Sequence, residues 1–216
     1  MNLGGGGQLG DRAYADLKAL IVGFDLQPGE SLSEKALSER LGLSRTPIRE
    51  ACQRLAREGL VRLVPGRGAF VAEISIPDVV ELFQIREALE AFAARLAARN
   101  PDPALIDGLI AELDATKLDE PADVEAYYDL STRIDLAILA MASNSRLSRA
   151  LDEVWTQVTR ARRVASTSAS RLQGSAEEHR AILSAIGSGD ESAAHEAMAS
   201  HVQRSLSHLL LHVGRR

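Results

Sequence analysis

The chain has 216 residues, is 45% hydrophobic and 4% aromatic, and carries 25 Lys and Arg against 30 Asp and Glu, a formal net charge of −5. That much apolar material excludes bulk disorder, and few aromatics among abundant Ala, Leu, Arg and Glu favour helices over sheets. No apolar run approaches the roughly 20 residues that span a bilayer, nothing at the N-terminus reads as a signal peptide, and the lone Cys52 excludes an internal disulfide.

Residues 1–10, MNLGGGGQLG, are glycine-rich and aperiodic, which predicts a flexible leader. From Asp11 onward Tyr14, Leu17, Leu20, Ile21 and Phe24 recur at helical intervals, and QPGE stops that helix. Ser33 is placed to cap a short helix with Leu37 and Leu41 inward and Gly42 at its end. Ser44 is placed to cap the next one, with Pro47 in its first turn. Ile48, Ala51, Cys52 and Leu55 form the inner stripe of that helix, and Gly59 ends it. Two strand-like runs, LVRLV and AFVAEI, flank PGRG and predict a hairpin.

After Ile74 the texture changes. A long amphipathic helix is predicted from Pro77 to Asn100, a second through PDPALIDGLIAELDATKL and a third through PADVEAYYDLSTRIDLAILAMAS. Asn144, a residue tolerant of the left-handed conformation, is expected to end the third. RLSRALDEVWTQVTRARRVAST, SAEEHRAILSAIGSG and DESAAHEAMASHVQRSLSHLLLHV complete the set. The expected fold class is mainly α: a winged helix-turn-helix over residues 11–74 and a bundle of about six helices over residues 77–214.

The negative total hides a basic segment. Residues 35–72 hold eight Lys and Arg against three Asp and Glu, whereas residues 77–216 hold 15 against 21. Three helices, a short turn between the second and third, and a hairpin make a winged helix-turn-helix, whose third helix enters the major groove. Arg45 and Arg49 lie four residues apart on one face, near the helix start where such helices contact base edges. A planar guanidinium pairs with guanine in a way that lysine cannot reproduce. Ser44 and Thr46 carry hydroxyls suited to phosphate, as do the backbone amides of a helix N-terminus. Gly66 and Gly68 let the hairpin tip approach a duplex, with Arg67 between them. Arg54 and Arg57 point elsewhere and read as surface or helix-pair charges, and Cys52 reads as core. An ordinary solvated helix face is the plainer reading of the arginines; it does not explain caps, turn, spacing and wing together.

The stretch PGESLSEKALSERLGLSRTPIREACQRLAREGLVRLVPGRGAFV resembles the GntR-family winged helix at nearly every punctuating position. The bundle resembles the FCD effector domain of the FadR-type branch through FQIREALEAFAARLAA, AMASNSRL, SAEEHRAILSAIGSGD and SHVQRSL, so that the resemblance spans residues 11–213. It implies a cytoplasmic bacterial transcription regulator, acting as a homodimer on a palindromic double-stranded operator. A small organic acid or related metabolite in the bundle would change operator affinity. By the same resemblance Lys35, Arg45 and Arg49 are the main DNA-contacting side chains, with Thr46 and the Gly66 wing tip assisting. A homodimer also follows from size, since one winged helix buries too small an interface for the usual operator affinity.

Many FCD domains hold a divalent metal with an Asp and a His one turn apart and two later histidines. Here the later two stand as His179 and His201. The first pair departs from the pattern: Asp135 occupies the usual His position and Ser131 the usual Asp position. Asp135, His179 and His201 remain a carboxylate–bis-imidazole set acceptable to zinc, manganese, iron or nickel. The alternative is a metal-free cluster of the same three. Arg86 is implied to face the pocket and bind an effector carboxylate, against the plainer reading of a charge solvated or paired with Glu87 or Glu90. One of Arg160, Arg162 and Arg163 is a second candidate for the pocket. Trp155 is expected to pack, and His195, His208 and His212 match no motif and read as surface or core histidines. Two competing readings stand: a helical metal-dependent hydrolase using Asp135, His179 and His201, and a DNA binder with a vestigial bundle. The hydrolase has no obvious general base and leaves the winged helix without a role.

Overall fold

In a computed structural model of the chain, residues 5–117, 121–164 and 169–213 are described, and they divide between two units, Met1–Ser75 and Ile76–Arg216. The first runs α1 (Gly5–Val22), α2 (Glu34–Leu41), α3 (Arg45–Arg57), β1 (Val61–Val64) and β2 (Gly68–Val71). Helix α1 starts inside the glycine-rich stretch that the sequence suggested was a leader. Ala13, Leu17 and Ile21 are at most 1% exposed and anchor its later turns. Once a helix is anchored, each added residue gains a hydrogen bond without a new nucleus.

The capping at α2 follows the sequence. Ser33 Oγ accepts from the Ala36 amide, and Gly42, left-handed at φ 65, donates its N–H to the Ser38 carbonyl. Ser44 occupies the N-cap position of α3 with extended backbone but makes no side-chain cap bond. One face of α3 buries Pro47, Ile48, Ala51, Cys52 and Leu55 against α1. The hairpin pairs Val61 with Val71 and Val64 with Gly68. Gly66 at φ 73 and Gly68 at φ 96 supply the positive φ of its turn, which side-chain-bearing residues rarely adopt. The Ser31–Phe70 bridge ties the segment before α2 to the wing.

The second unit comprises α4 (Ile76–Ala97), α5 (Pro103–Ala115), α6 (Pro121–Ala142), α7 (Ser145–Val164), α8 (Ala169–Gly187) and α9 (Glu191–Val213), with no strand among the described residues. Helix α4 packs against α9, α6 and α7, while α8 packs against α9 and α5. Buried Ala91, Ala93, Ala94 and Ala97 let neighbouring backbones approach α4 closely. Asp102 caps α5 through Oδ1, which accepts from the Leu105 amide at 3.1 Å. The α6–α7 junction differs from expectation. Ser143, not Asn144, is left-handed, at φ 49. Asn144 Oδ1 instead accepts from the Arg146 and Leu147 amides, so this residue starts α7. Helix α8 begins six residues before SAEEHRAILSAIGSG, with Leu172 buried in its first turns. No described helix is long and apolar enough to cross a membrane.

Candidate nucleic-acid interface and effector cavity

In the first unit, Lys35, Ser44, Arg45, Thr46, Arg49, Gly66 and Arg67 are all exposed, while the opposite face of α3 is core. A groove of about 660 Å³ runs between the start of α2, α3 and the wing, lined by Glu34, Arg49, Gln53, Gly66 and Arg67 among others. Arg49 projects into it, 63% exposed, and donates to Glu34 from Nε and Nη2 at 2.8 Å each. Glu34 and Gln53 were missed in the sequence. Gln53 continues the four-residue spacing of Arg45 and Arg49 and was legible from that period. Glu34 was not, because its meaning depends on a contact across two helices. Arg54 is turned away from the groove, bonded to Asp11 at 2.6 Å and stacked 4.1 Å from the Tyr14 ring centroid.

In the second unit a cavity of about 60 Å³ lies between α4, α6, α7, α8 and α9, lined by Tyr127, Tyr128, Ser131, Arg162, Arg171, Ser175, Ser205 and His208 with apolar Phe83, Leu172 and Leu209. Of the three clustered arginines, Arg162 reaches this wall. Arg160 is buried and donates to Gln157 Oε1 at 3.0 Å. The Arg163 side chain lies outside the described residues, as does that of His212. Arg171 also lines the cavity, but it is engaged: both Nη atoms donate to Glu178 at 3.1 Å, and Nη2 donates to Ser205 as well. Arg162 has no ion pair with a described residue. Burial and the nearby Arg86 charge hold its pKa below the usual arginine value, against Asp135, Glu90 and Tyr128.

His179 and His201 come together with ring centroids 4.5 Å apart, each 1% exposed. Nδ1 of His179 shares a hydrogen bond with the Tyr127 hydroxyl at 2.9 Å, and Nδ1 of His201 donates to Glu178 Oε2 at 2.8 Å. Nε2 of each ring is buried without a hydrogen-bond partner. Burial first, then for His179 the neighbouring imidazole and for both the Arg162 and Arg86 cations, pushes the two pKa values well below the ordinary histidine range. Both rings are therefore neutral, the form that ligates a metal. Two orphaned Nε2 atoms fit the imidazole half of a divalent site. Asp135 does not complete it: among the described residues no three His, Cys, Asp or Glu side chains gather to hold an ion. Asp135 instead lines a small void with Glu90, Trp155 and Met198. Burial and the Glu90 charge push its carboxyl up to about 7, with Arg86 and Arg162 opposing.

Arg86 is 1% exposed and donates from Nε to Glu90 Oε1 at 2.7 Å; its Nη1 has no partner. Burial works against the charge, but Glu90, by charge and hydrogen bond, together with Asp135, leaves the pKa raised. Trp155 Nε1 donates to the same Glu90 oxygen at 2.6 Å, so the tryptophan does more than fill space. The sequence reading put Arg86 in the pocket; here Phe83, one turn earlier, forms the wall and Arg86 lies behind it, paired.

Residues 9–71 match the bacterial regulatory proteins of the gntR family, and residues 81–204 match the FCD domain. The HTH-type transcriptional repressor RspR of Escherichia coli K12 is 29% identical over 191 residues, covering 88% of this chain and 84% of that protein. The solved structure of E. coli McbR/YncC superposes with a TM-score of 0.74 at 23% identity, covering 94% of this chain and 97% of that one. The metal-free FCD domain of TM0439 gives a TM-score of 0.56 at 16% identity, covering 67% of this chain and all of that one, and shares the bundle fold. With a gntR-type winged helix followed by an FCD domain, the chain belongs to the GntR family of DNA-binding transcription regulators, in its FCD-containing FadR-type branch.

Proposed function

We propose that a small carboxylate, bound in the cavity of the second unit, sets the affinity of the first unit for a palindromic operator, the chain working as a cytoplasmic homodimer. The observation that carries this is Arg162: a guanidinium with no ion-pair partner among the described residues, on the wall of a cavity furnished with serine and tyrosine hydroxyls. A carboxylate accepting from this half-buried guanidinium gains a charge-assisted hydrogen bond. In the winged helix, Arg45 and Arg49 read bases. Lys35, Ser44, Thr46, Gly66 and Arg67 hold phosphates. A divalent ion, when bound, would be held by His179 and His201 and would supply positive charge toward the acid.

Thermal unfolding of the full chain, followed by the fluorescence of Trp155 and repeated with a panel of small mono- and dicarboxylates, tests the reading. An effector present at a hundredfold excess over Kd adds about 2.7 kcal/mol. Arg162→Met abolishes that gain, and the same acid changes binding to an operator duplex. If no acid stabilises the protein, the bundle is vestigial and the effector reading falls.

A further inference from the structure

We propose that Glu34 is a positioning residue of the DNA-reading surface: it grips Arg49 along one edge and leaves the other edge aimed at a base. The inference rests on the reading of Arg49 as a base contact.

A guanidinium carries five N–H groups, one on Nε and two on each Nη. Glu34 Oε1 accepts from Nε and Oε2 from Nη2, both at 2.8 Å. That pairing uses the side edge of the fork. The end edge, one N–H of Nη1 and the second of Nη2, is unused among the described residues, and this is the pair that matches O6 and N7 of guanine. The carboxylate therefore does not compete for the reading atoms. It removes the rotameric freedom of a long, 63% exposed side chain before DNA arrives, so less is lost when a base is bound.

The placement makes this specific. Glu34 is the first residue of α2, fixed by the Ser33 cap, while Arg49 stands in the second turn of α3. The ion pair therefore ties the reading side chain to the other helix of the motif. Arg49 in turn holds the Glu34 carboxyl below the usual range, with a smaller contribution from Arg45, so the charge persists. A carboxylate in a groove that meets phosphates is otherwise a liability, since it repels every duplex alike. Its presence beside Arg49 is explained if the repulsion is offset only where Arg49 finds its guanine. Glu34 then weakens binding to random DNA and strengthens binding to the operator, which is discrimination by an attractive and a repulsive element together.

The test uses the full chain and a duplex selected from a random-sequence library by the wild-type protein, with a random-sequence duplex of equal length as reference. Glu34→Ala and Glu34→Gln are measured alone and in an Arg49→Ala background by fluorescence anisotropy. The expected result is a loss of about tenfold on the selected duplex and no loss, or a gain, on the random one. The loss disappears in the Arg49→Ala background. Preference for guanine relaxes at one base pair, the same one in Glu34→Ala and Arg49→Ala. The glutamine variant keeps the side-chain shape and guards against a folding defect in the alanine one. Equal losses with both duplexes, a loss that persists without Arg49, or relaxation at a cytosine elsewhere in the half-site overturns the proposal. The last would make Glu34 a base contact in its own right. If Arg49→Ala loses equally on both duplexes, the base-reading role of Arg49 falls first, and the proposal with it.

Discussion

Arg86 and Glu90 face each other one turn apart on α4, Nε to Oε1 at 2.7 Å, with side chains 1% and 3% exposed. The same Glu90 oxygen accepts from Trp155 on α7. A buried ion pair is costly to halve, because removing one charge strands the other in a medium that cannot solvate it. Glu90→Gln keeps an oxygen for the indole and removes the charge. It is expected to destabilise the second unit by about 3–5 kcal/mol. The paired change Arg86→Met with Glu90→Leu is expected to recover most of that loss. Trp155 is the only tryptophan, so its fluorescence in urea reports this unit within the intact chain; an effect of Glu90→Gln indistinguishable from zero would refute the account.

The winged helix separates two kinds of cation. Arg45→Ala should cost about 1–3 kcal/mol on a selected operator and relax one base position, with little change on random DNA. Lys35→Ala should weaken all duplexes alike and lower the slope of log K against log salt by about one. Binding isotherms across salt concentrations decide between them. A uniform loss for Arg45→Ala would make it a phosphate contact.

Asn144 caps α7 through two amides, at 3.1 and 3.2 Å, while its neighbour Ser143 takes the left-handed turn. Asn144→Ala should therefore destabilise by about 1 kcal/mol, and Asn144→Asp should restore it. Ser143→Gly is expected to be neutral or stabilising, since glycine adopts positive φ freely. Thermal denaturation of these variants, with Asn144→Gly measured beside them, ranks them. Stabilisation by Asn144→Gly beyond that of Ser143→Gly would return Asn144 to the helix-ending role.

Metal content addresses the paired histidines. Protein purified without chelator and incubated with zinc or manganese is expected to retain an ion that His179→Ala or His201→Ala eliminates. Glu178→Gln, which weakens the acceptor holding His201 Nδ1, should lower affinity about 10–100-fold. Elemental analysis and competition with a chromophoric chelator measure both. Metal that survives loss of both histidines would place the ion elsewhere, and none at all would leave the pair a buried neutral couple.

Local chemistry in the sequence was enough to determine the winged helix. Ser33, Gly42, Pro47 and the PGRG turn each act through the backbone within a few residues, so their roles are decided before the chain folds. The amphipathic stripe of α3 likewise settled which side of Arg45 and Arg49 faces outward. Helix number in the second unit was legible from period alone, yet helix ends were not. At residues 143–144 two adjacent residues could each take the turn, and the hydrogen bonds of the following helix chose.

What no local pattern contains is which side chains meet. Arg86 and Arg162 are both arginines on amphipathic helices. Only packing gave Glu90 to the first and the cavity wall to the second. His179 and His201, 22 positions apart, are brought face to face by α8 lying against α9. Asp135, which stands where the family resemblance implies a histidine, ends beside Glu90 and not beside them. A helix fixes the direction of a side chain by its period. The distance to a partner depends on how neighbouring helices cross and how closely their small residues let them approach, and the six helices of this unit settle that together.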